Sequence, residues 1–517
     1  MNRRTFSQQI LAGFAGASLL KFGGCCPNSQ IHGDRFEELF EPAGDKVVYI
    51  ETYGGQGVQS ATKALKRPAT LDDFKSQSRG RSVNIRGGGY SFDAQSLPGV
   101  GGGDLLYTHK LELGAIEIVG DTVSAPANAS WGDVVEKCLE QGTIPQILVT
   151  GSGTTVGGTA SSNGLSRHTP LWGKESRVIE SIDVVTWDGK AMTGVTPSLH
   201  PDLFFAAIGG FGACGLITRV THRLQRIGET PRMRTQIRKF HKSNALTEFC
   251  DNLKPDCVDE HPTRTRYGLM FPRKNGEFRG MTMDTEYDTG SRRLAYSAYL
   301  EWPCYGDKEA KSGYYSMAAD PKRVQRLREL AWNTASSHVT YLDEVMPYTF
   351  FQDGHVMGKR DRALETPKTI TLQQTWIIPE SAPGTSQTHL IGFLNAVLGY
   401  GFVPRELGPT TFVDTFYVPA DDSLLSASYG MPGFAVTVAF EGPKDTEANA
   451  INALSDLTDE CAAVGGRVHL TKHVYGDTAV IRKMYTGQLV LFNAARKKYD
   501  SEGRWRNPLF ERVFGTT

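Results

Sequence analysis

The chain has 517 residues, too many for one ordinary hydrophobic core, so two or more domains are expected. Hydrophobic residues make up 39% and charged residues 22%, which is the balance of a globular protein and excludes a disordered one. Lys plus Arg and Asp plus Glu both number 56, so the chain lacks the basic excess of a nucleic-acid binder.

The first thirty residues read as an export signal. Arg3-Arg4 precedes Thr5-Phe6 and an apolar stretch from Ile10 to Leu20, too short to span a bilayer. The order Arg-Arg-Thr-Phe resembles the twin-arginine address, a route that exports proteins already folded. The alternative is a basic N-terminus that carries no address. Gly24-Cys25 resembles a lipoprotein cleavage site, although Phe22-Gly23 departs from the usual residues before it. The mature protein is therefore expected in the periplasm or anchored on the outer face, with Cys25 a candidate lipid anchor. Beyond the signal, Cys138, Cys214, Cys250, Cys257, Cys304 and Cys461 include no CxxC pair, which argues against zinc. Cys250 and Cys257 are close enough to pair in an oxidising compartment, and buried free thiols are the other reading.

From about residue 46, short apolar runs alternate with helical stretches and glycine loops. Val47–Ile50 is predicted as a strand. A short helix is predicted over Leu71–Ser78 with Thr70 as its N-cap. Ser82–Ile85 is a predicted strand that runs into a glycine loop. Thr122–Ala125 is a further strand, and Trp131–Gln141 an amphipathic helix closed by Gly142. Ile182–Thr186 alternates and meets the turn signal Asp188-Gly189. Leu203–Ile208 reads as a helix and Leu216–Val220 as a strand. After Gly228-Glu229-Thr230-Pro231 the texture changes to longer alternating strands: Arg266–Phe271, Leu294–Trp302, Thr369–Ile378 and Ala435–Phe440. Helices are predicted over Pro321–Thr334 and Ala448–Val464. This reads as an α+β region on an antiparallel sheet.

Three loops carry the chemistry. Arg86-Gly87-Gly88-Gly89-Tyr90-Ser91 directly follows a strand, and successive glycine N–H groups there can form an anion-binding nest. The stretch from Gly151 to Thr159, with Thr155, Gly157 and Gly158, again offers N–H groups and small hydroxyls, and Ser161 follows it. Gly209-Gly210-Phe211-Gly212-Ala213-Cys214-Gly215 is the third. Each alone is an ordinary turn; three in one domain point to a ligand. Gly210, Gly212 and Gly215 spell GxGxxG, but a helix precedes them and a strand follows, the reverse of a Rossmann site.

Taken in order, Arg-Gly-Gly-Gly-Tyr-Ser (86–91), Thr-Val-Gly-Gly-Thr (155–159), Val-Val-Thr-Trp-Asp-Gly (184–189), Asp-Leu-Phe (202–204) and residues 209–218 resemble the FAD domain of the vanillyl-alcohol-oxidase/p-cresol-methylhydroxylase superfamily. The resemblance implies FAD lying along the first two loops, with Phe92 and Ile217 also near the cofactor. Many members carry a His that bonds to the flavin where this chain has Tyr90, so noncovalent FAD is expected, a tyrosyl link being the remote option. Gly465–Lys472 is similar to the segment that closes over the flavin in sugar-lactone, alditol and decaprenylphosphoryl-ribose oxidases. That likeness implies His469 at the cofactor and Lys472 as a catalytic cation, meeting charge on the reduced flavin edge or polarising a substrate hydroxyl. His168, just after the second loop, is a candidate general base. Cytokinin dehydrogenases share the Thr-Val-Gly-Gly-Thr stretch, but usually have Asp where this chain has Thr150.

The expected fold is α+β. A two-part FAD-binding domain of the PCMH type (about 40–225 and 465–517) would hold an inserted antiparallel-sheet substrate domain (226–464). The expected reaction passes a hydride from a small organic substrate to flavin, with oxygen or a quinone as the electron acceptor. A flavin- or sugar-binding exported protein without turnover is the alternative.

Overall fold

The computed structural model describes residues 48–50, 52, 60–62, 65–80, 82–99, 103–149, 153–228, 232–241, 243–254, 265–270, 278–288, 339–342, 369–400 and 412–515. The export segment with Arg3, Arg4 and Cys25 lies outside the described residues, as do Gly151, Cys257, Cys304, the predicted strand 294–302 and the predicted helix 321–334.

Three strands, β1 (Leu65–Lys66), β2 (Val83–Arg86) and β3 (Asp104–Tyr107), form a parallel sheet in the order β1-β3-β2. Helix α1 (Leu71–Ser78) connects β1 to β2. It begins at Thr70 because a reciprocal capping box forms there: the Thr70 hydroxyl accepts from the Asp73 N–H, and the Asp73 carboxylate accepts from the Thr70 N–H. Two N–H groups that the helix cannot satisfy internally are thus paired.

A six-stranded antiparallel sheet follows. Its strands are β4 (Glu117–Val119), β5 (Thr122–Pro126), β6 (Thr143–Pro145), β7 (Ile179–Val185), β8 (Ala191–Val195) and β9 (Leu216–Arg226). The order is β8-β7-β9-β5-β4, with β6 also paired to β9. Helix α2 (Trp131–Leu139) packs on this sheet through buried Trp131, Val134, Val135 and Cys138, the apolar face that its sequence period implies. Burying each large apolar side chain contributes about 1.5–3 kcal/mol. The short helices α3 (Val156–Ala160), α4 (Thr169–Trp172), α5 (Glu175–Val178) and α6 (Pro201–Ala207) lie between β6 and β9 in the chain.

The third layer is an eight-stranded antiparallel sheet. It contains β10 (Arg232–Phe240), β11 (Thr265–Met270), β12 (Gly280–Asp288), β13 (Val339–Leu342), β14 (Thr369–Pro379), β15 (Phe412–Val418), β16 (Gly433–Pro443) and β17 (Arg467–Val468). Their order is β13-β10-β12-β11-β15-β16-β14-β17. Helices α7 (Ala245–Leu253), α8 (Thr388–Gly399) and α9 (Glu447–Ala463) cover one face. Trp376 of β14 shows why: its ring packs against Phe393 of α8, and its indole N–H donates to Thr458 of α9. Alternation along a strand then turns Thr375 to the opposite face.

The tail does not leave the large sheet at residue 465, because β17 still pairs with β14. It then passes through α10 (Thr478–Met484), α11 (Thr486–Tyr499) and α12 (Pro508–Phe514) and rejoins the first sheet. The Val83 N–H donates to the Arg504 carbonyl, and the Arg506 N–H donates to the Val83 carbonyl. Cys138, Cys214, Cys250 and Cys461 are buried free thiols.

Candidate active site

The three glycine loops converge on one cleft. Gly87–Ser91 leave the end of β2, the second loop leads into α3, and the third runs from α6 into β9. Glycine is needed at Gly87 because a Cβ there would stand 2.7 Å from the Thr155 hydroxyl, so the first two loops touch. It is needed at Gly153 because a Cβ would overlap the Tyr90 hydroxyl. Tyr90 therefore reaches across from the first loop to the second.

The lining suits FAD. Backbone without side chains comes from Gly87, Gly88, Gly89, Gly157 and Gly158, where a pyrophosphate can approach the main chain closely, the Gly157 N–H itself being held on the Ala127 carbonyl. Hydroxyl donors come from Ser91, Thr155, Ser161 and Ser162, and apolar surface from Ile85, Phe211, Leu216 and Ile217. No carboxylate is among the described lining residues, so nothing there repels an anion. The second loop is braced from behind. Glu175 accepts from the Thr159 hydroxyl and the Gly164 N–H, and its carboxylate lies 3.2 Å from His222 Nε2. Asn163, in a left-handed conformation, donates to Asp421, and Asp421 pairs with fully buried Lys174 at 3.5 Å. Burial pulls the Lys174 ammonium below its ordinary range, against the opposing pull of Asp421.

The cleft brings together Gly87, Gly88, Gly89, Tyr90, Ser91, Thr155, Gly157, Gly158, Ser161 and Ile217 among the residues singled out from the sequence. Others take different places. Arg86 is buried and its guanidinium donates to the carbonyl and hydroxyl of Ser96, which makes it a brace for the loop and not part of the lining. His168 is also absent from the lining. Its Nδ1 lies 3.2 Å from the Gln146 carbonyl, and burial pushes its pKa down to about 3, so a general-base role at the cleft finds no support in its position. His469 is buried, its backbone N–H donates to the Thr375 carbonyl, and burial drives its imidazole well below the usual range.

Lys472 lies beside the first loop and, like Phe92, is not part of the cleft lining. Its Nζ lies 4.0 Å from the centroid of the Phe92 ring, and Thr471 next to it lines the cleft. The holding residues were not foreseen. Gln95 Nε2 donates to the carbonyls of Leu470 and Lys472, both at 2.9 Å. Asp93 accepts from the Val474 N–H and from Arg512. Both residues follow the first glycine loop directly, and that adjacency was the available signal.

A polar row crosses the face of the large sheet on which α4 packs. Thr375, Thr437 and Asp414 are register partners on β14, β16 and β15, and the Thr375 and Thr437 hydroxyls are 3.0 Å apart. Tyr267 of β11 donates to Asp414 at 2.7 Å, and the Arg167 guanidinium lies 4.6 Å from the centre of the Tyr267 ring. Burial raises the Asp414 carboxyl above its ordinary range, against hydrogen bonds from Tyr267 and Thr437 and the charges of Arg167 and Lys472. No linear motif marks this row; strand pairing assembles it.

A glycine-lined cleft between a small parallel sheet and an antiparallel sheet, closed by a returning C-terminal strap, defines a flavin-binding domain. Residues 75–194 match the family of the FAD binding domain, and residues 411–513 match that of D-arabinono-1,4-lactone oxidase. The chain fits the PCMH-type FAD oxidase superfamily, which includes the sugar-lactone oxidases, and FAD is the cofactor of this domain. Among similar proteins, cytokinin dehydrogenase 8 of Oryza sativa subsp. indica is 30% identical over 190 residues, 37% of this chain and 32% of that protein. Cytokinin dehydrogenase 4 of Arabidopsis thaliana is 31% identical over 163 residues, 31% of this chain and 29% of that protein. The chain thus spans about a third of the length of the curated relatives it matches.

Proposed function

We propose that the protein is an FAD-dependent oxidoreductase that oxidises a CH–OH group of a sugar, lactone or related alcohol. The carrying observation is the strap: Gln95 ties the Lys472 segment to the first glycine loop, and that segment lies within the lactone-oxidase match. When bound, FAD supplies the hydride acceptor and passes electrons on to oxygen or a quinone. Lys472 provides a cation for the negative charge that develops during hydride transfer. Asp414, with its raised proton affinity, accepts a hydrogen bond from the substrate hydroxyl and can take its proton. The eight-stranded sheet then acts as the substrate domain. Tyr90 stands where a histidyl link would need His, so the flavin is held without a covalent bond. Arg3-Arg4 supports export through the twin-arginine route, ahead of work outside the cytoplasm.

The test is anaerobic flavin bleaching with a panel of lactones, alditols and amines. Bleaching by a polyol or lactone, slowed at least tenfold in kcat/KM by Asp414→Asn, supports the reading. Bleaching by amines alone favours the second reading, oxidation of an amine, which the likeness to cytokinin dehydrogenases raises. A yellow protein that no member of the panel reduces favours binding without turnover.

A further inference from the structure

The exposed face of α11 has no role in the site, and its chemistry is specific. Among the described residues, five large apolar side chains stand exposed, and only Val490 at 68% and Leu491 at 48% are neighbours in the chain. Gly487 and Ala494 are exposed one turn to either side, so the four form a stripe along a single helical face. The opposite face cannot rotate outward. Phe492 and Ala495 are buried, and Gln488 Nε2 donates to the carbonyls of Leu424 and Ser426.

Charge surrounds the stripe asymmetrically. Lys483 is exposed at one end, and Lys497 and Lys498 at the other. From Thr478 to Tyr499 the chain has Arg482, Lys483, Arg496, Lys497 and Lys498 and no Asp or Glu, in a protein whose net charge is zero. The acidic groups facing this end are Asp202, bonded to Lys498 at 2.6 Å, and buried Asp500, 3.8 Å from Arg496. The helix has 14 residues, so it is about 21 Å long. Apolar side chains along the middle and lysines at both ends are what a helix lying flat in a lipid headgroup layer requires: the stripe enters the acyl boundary and the lysines reach phosphates. No helix among the described residues is long and apolar enough to cross a membrane, so the contact would be peripheral.

We propose that the outer face of α11 docks the protein on an anionic bilayer surface, with Val490 and Leu491 inserted and Lys483 and Lys497 on lipid phosphates. The test is flotation of the full chain with phosphatidylcholine vesicles, with or without phosphatidylglycerol. The wild type should float with the anionic vesicles and be released by high salt. Val490→Asp/Leu491→Asp, and separately Lys497→Glu, should each lower the bound fraction on the order of tenfold while leaving flavin content and substrate reduction unchanged. Equal flotation of wild type and both variants would overturn the proposal, as would wild-type binding indifferent to lipid charge or no binding at all. Self-association of the wild type in solution, lost in the aspartate variant without any vesicle binding, would instead make this face a contact between copies and also overturn it.

Discussion

The amide of Gln95 is fully used in joining the two ends of the chain. Its oxygen accepts from the Asp93 N–H, and its nitrogen donates to the carbonyls of Leu470 and Lys472, 375 and 377 residues away. Gln95→Glu keeps the acceptor and replaces the donor with an oxygen facing two carbonyls. Leaving such buried groups unpaired costs about 1–3 kcal/mol. The variant should unfold at lower denaturant concentration and reduce flavin more slowly at saturating substrate. Wild-type values for both would mean that the strap is held elsewhere.

Lys472→Ala should retain FAD and fold while losing turnover by about 10²–10³, the usual loss for one electrostatic donor at a reacting centre. Lys472→Arg should restore only part, because the guanidinium is larger and spreads its charge. Single-turnover reduction at saturating substrate measures this directly. An unchanged rate in the alanine variant would assign the cationic role to another group.

Tyr90 and Gly153 should behave as a coupled pair. A methyl at residue 153 would overlap the Tyr90 hydroxyl, so Gly153→Ala should force the ring aside and weaken flavin retention. Tyr90→Ala should relieve much of that loss, giving a non-additive cycle. Additive losses in bound flavin would show that the two do not meet. In the wild type, acid precipitation should leave all flavin in the supernatant; colour retained in the pellet would indicate a covalent link.

Stability should fall on acidification. Burial lowers His168 to about 3 and His473 to about 4, below the roughly 6.5 of a solvated imidazole. In that window the unfolded chain binds more protons than the native one, so unfolding becomes easier as pH drops from about 6.5 toward 4. Each such histidine contributes up to about 1.4 kcal/mol per pH unit. Denaturant titrations across this range should show the slope, and His168→Asn should reduce it by about one proton. A flat profile would mean that these rings charge inside the fold.

The sequence alone carried the local parts. Thr70 with Asp73 specifies the start of α1, the apolar period of 131–139 specifies α2, and the glycine run at 87–89 specifies a loop that backbone can occupy and side chains cannot. Those signals lie within a few residues, where spacing translates directly into geometry. The surroundings of His168 and Asp414 were decided only by the tertiary structure. His168 is turned onto the Gln146 carbonyl, while the pairing of β15 with β16 sets Asp414 opposite Thr437 and the Tyr267 hydroxyl reaches it from β11. Likewise Arg86, expected among the cofactor-binding residues, has its guanidinium on Ser96. Strand register between segments distant in the chain depends on packing over the whole sheet, and no local pattern in the chain encodes which side chains it will set face to face.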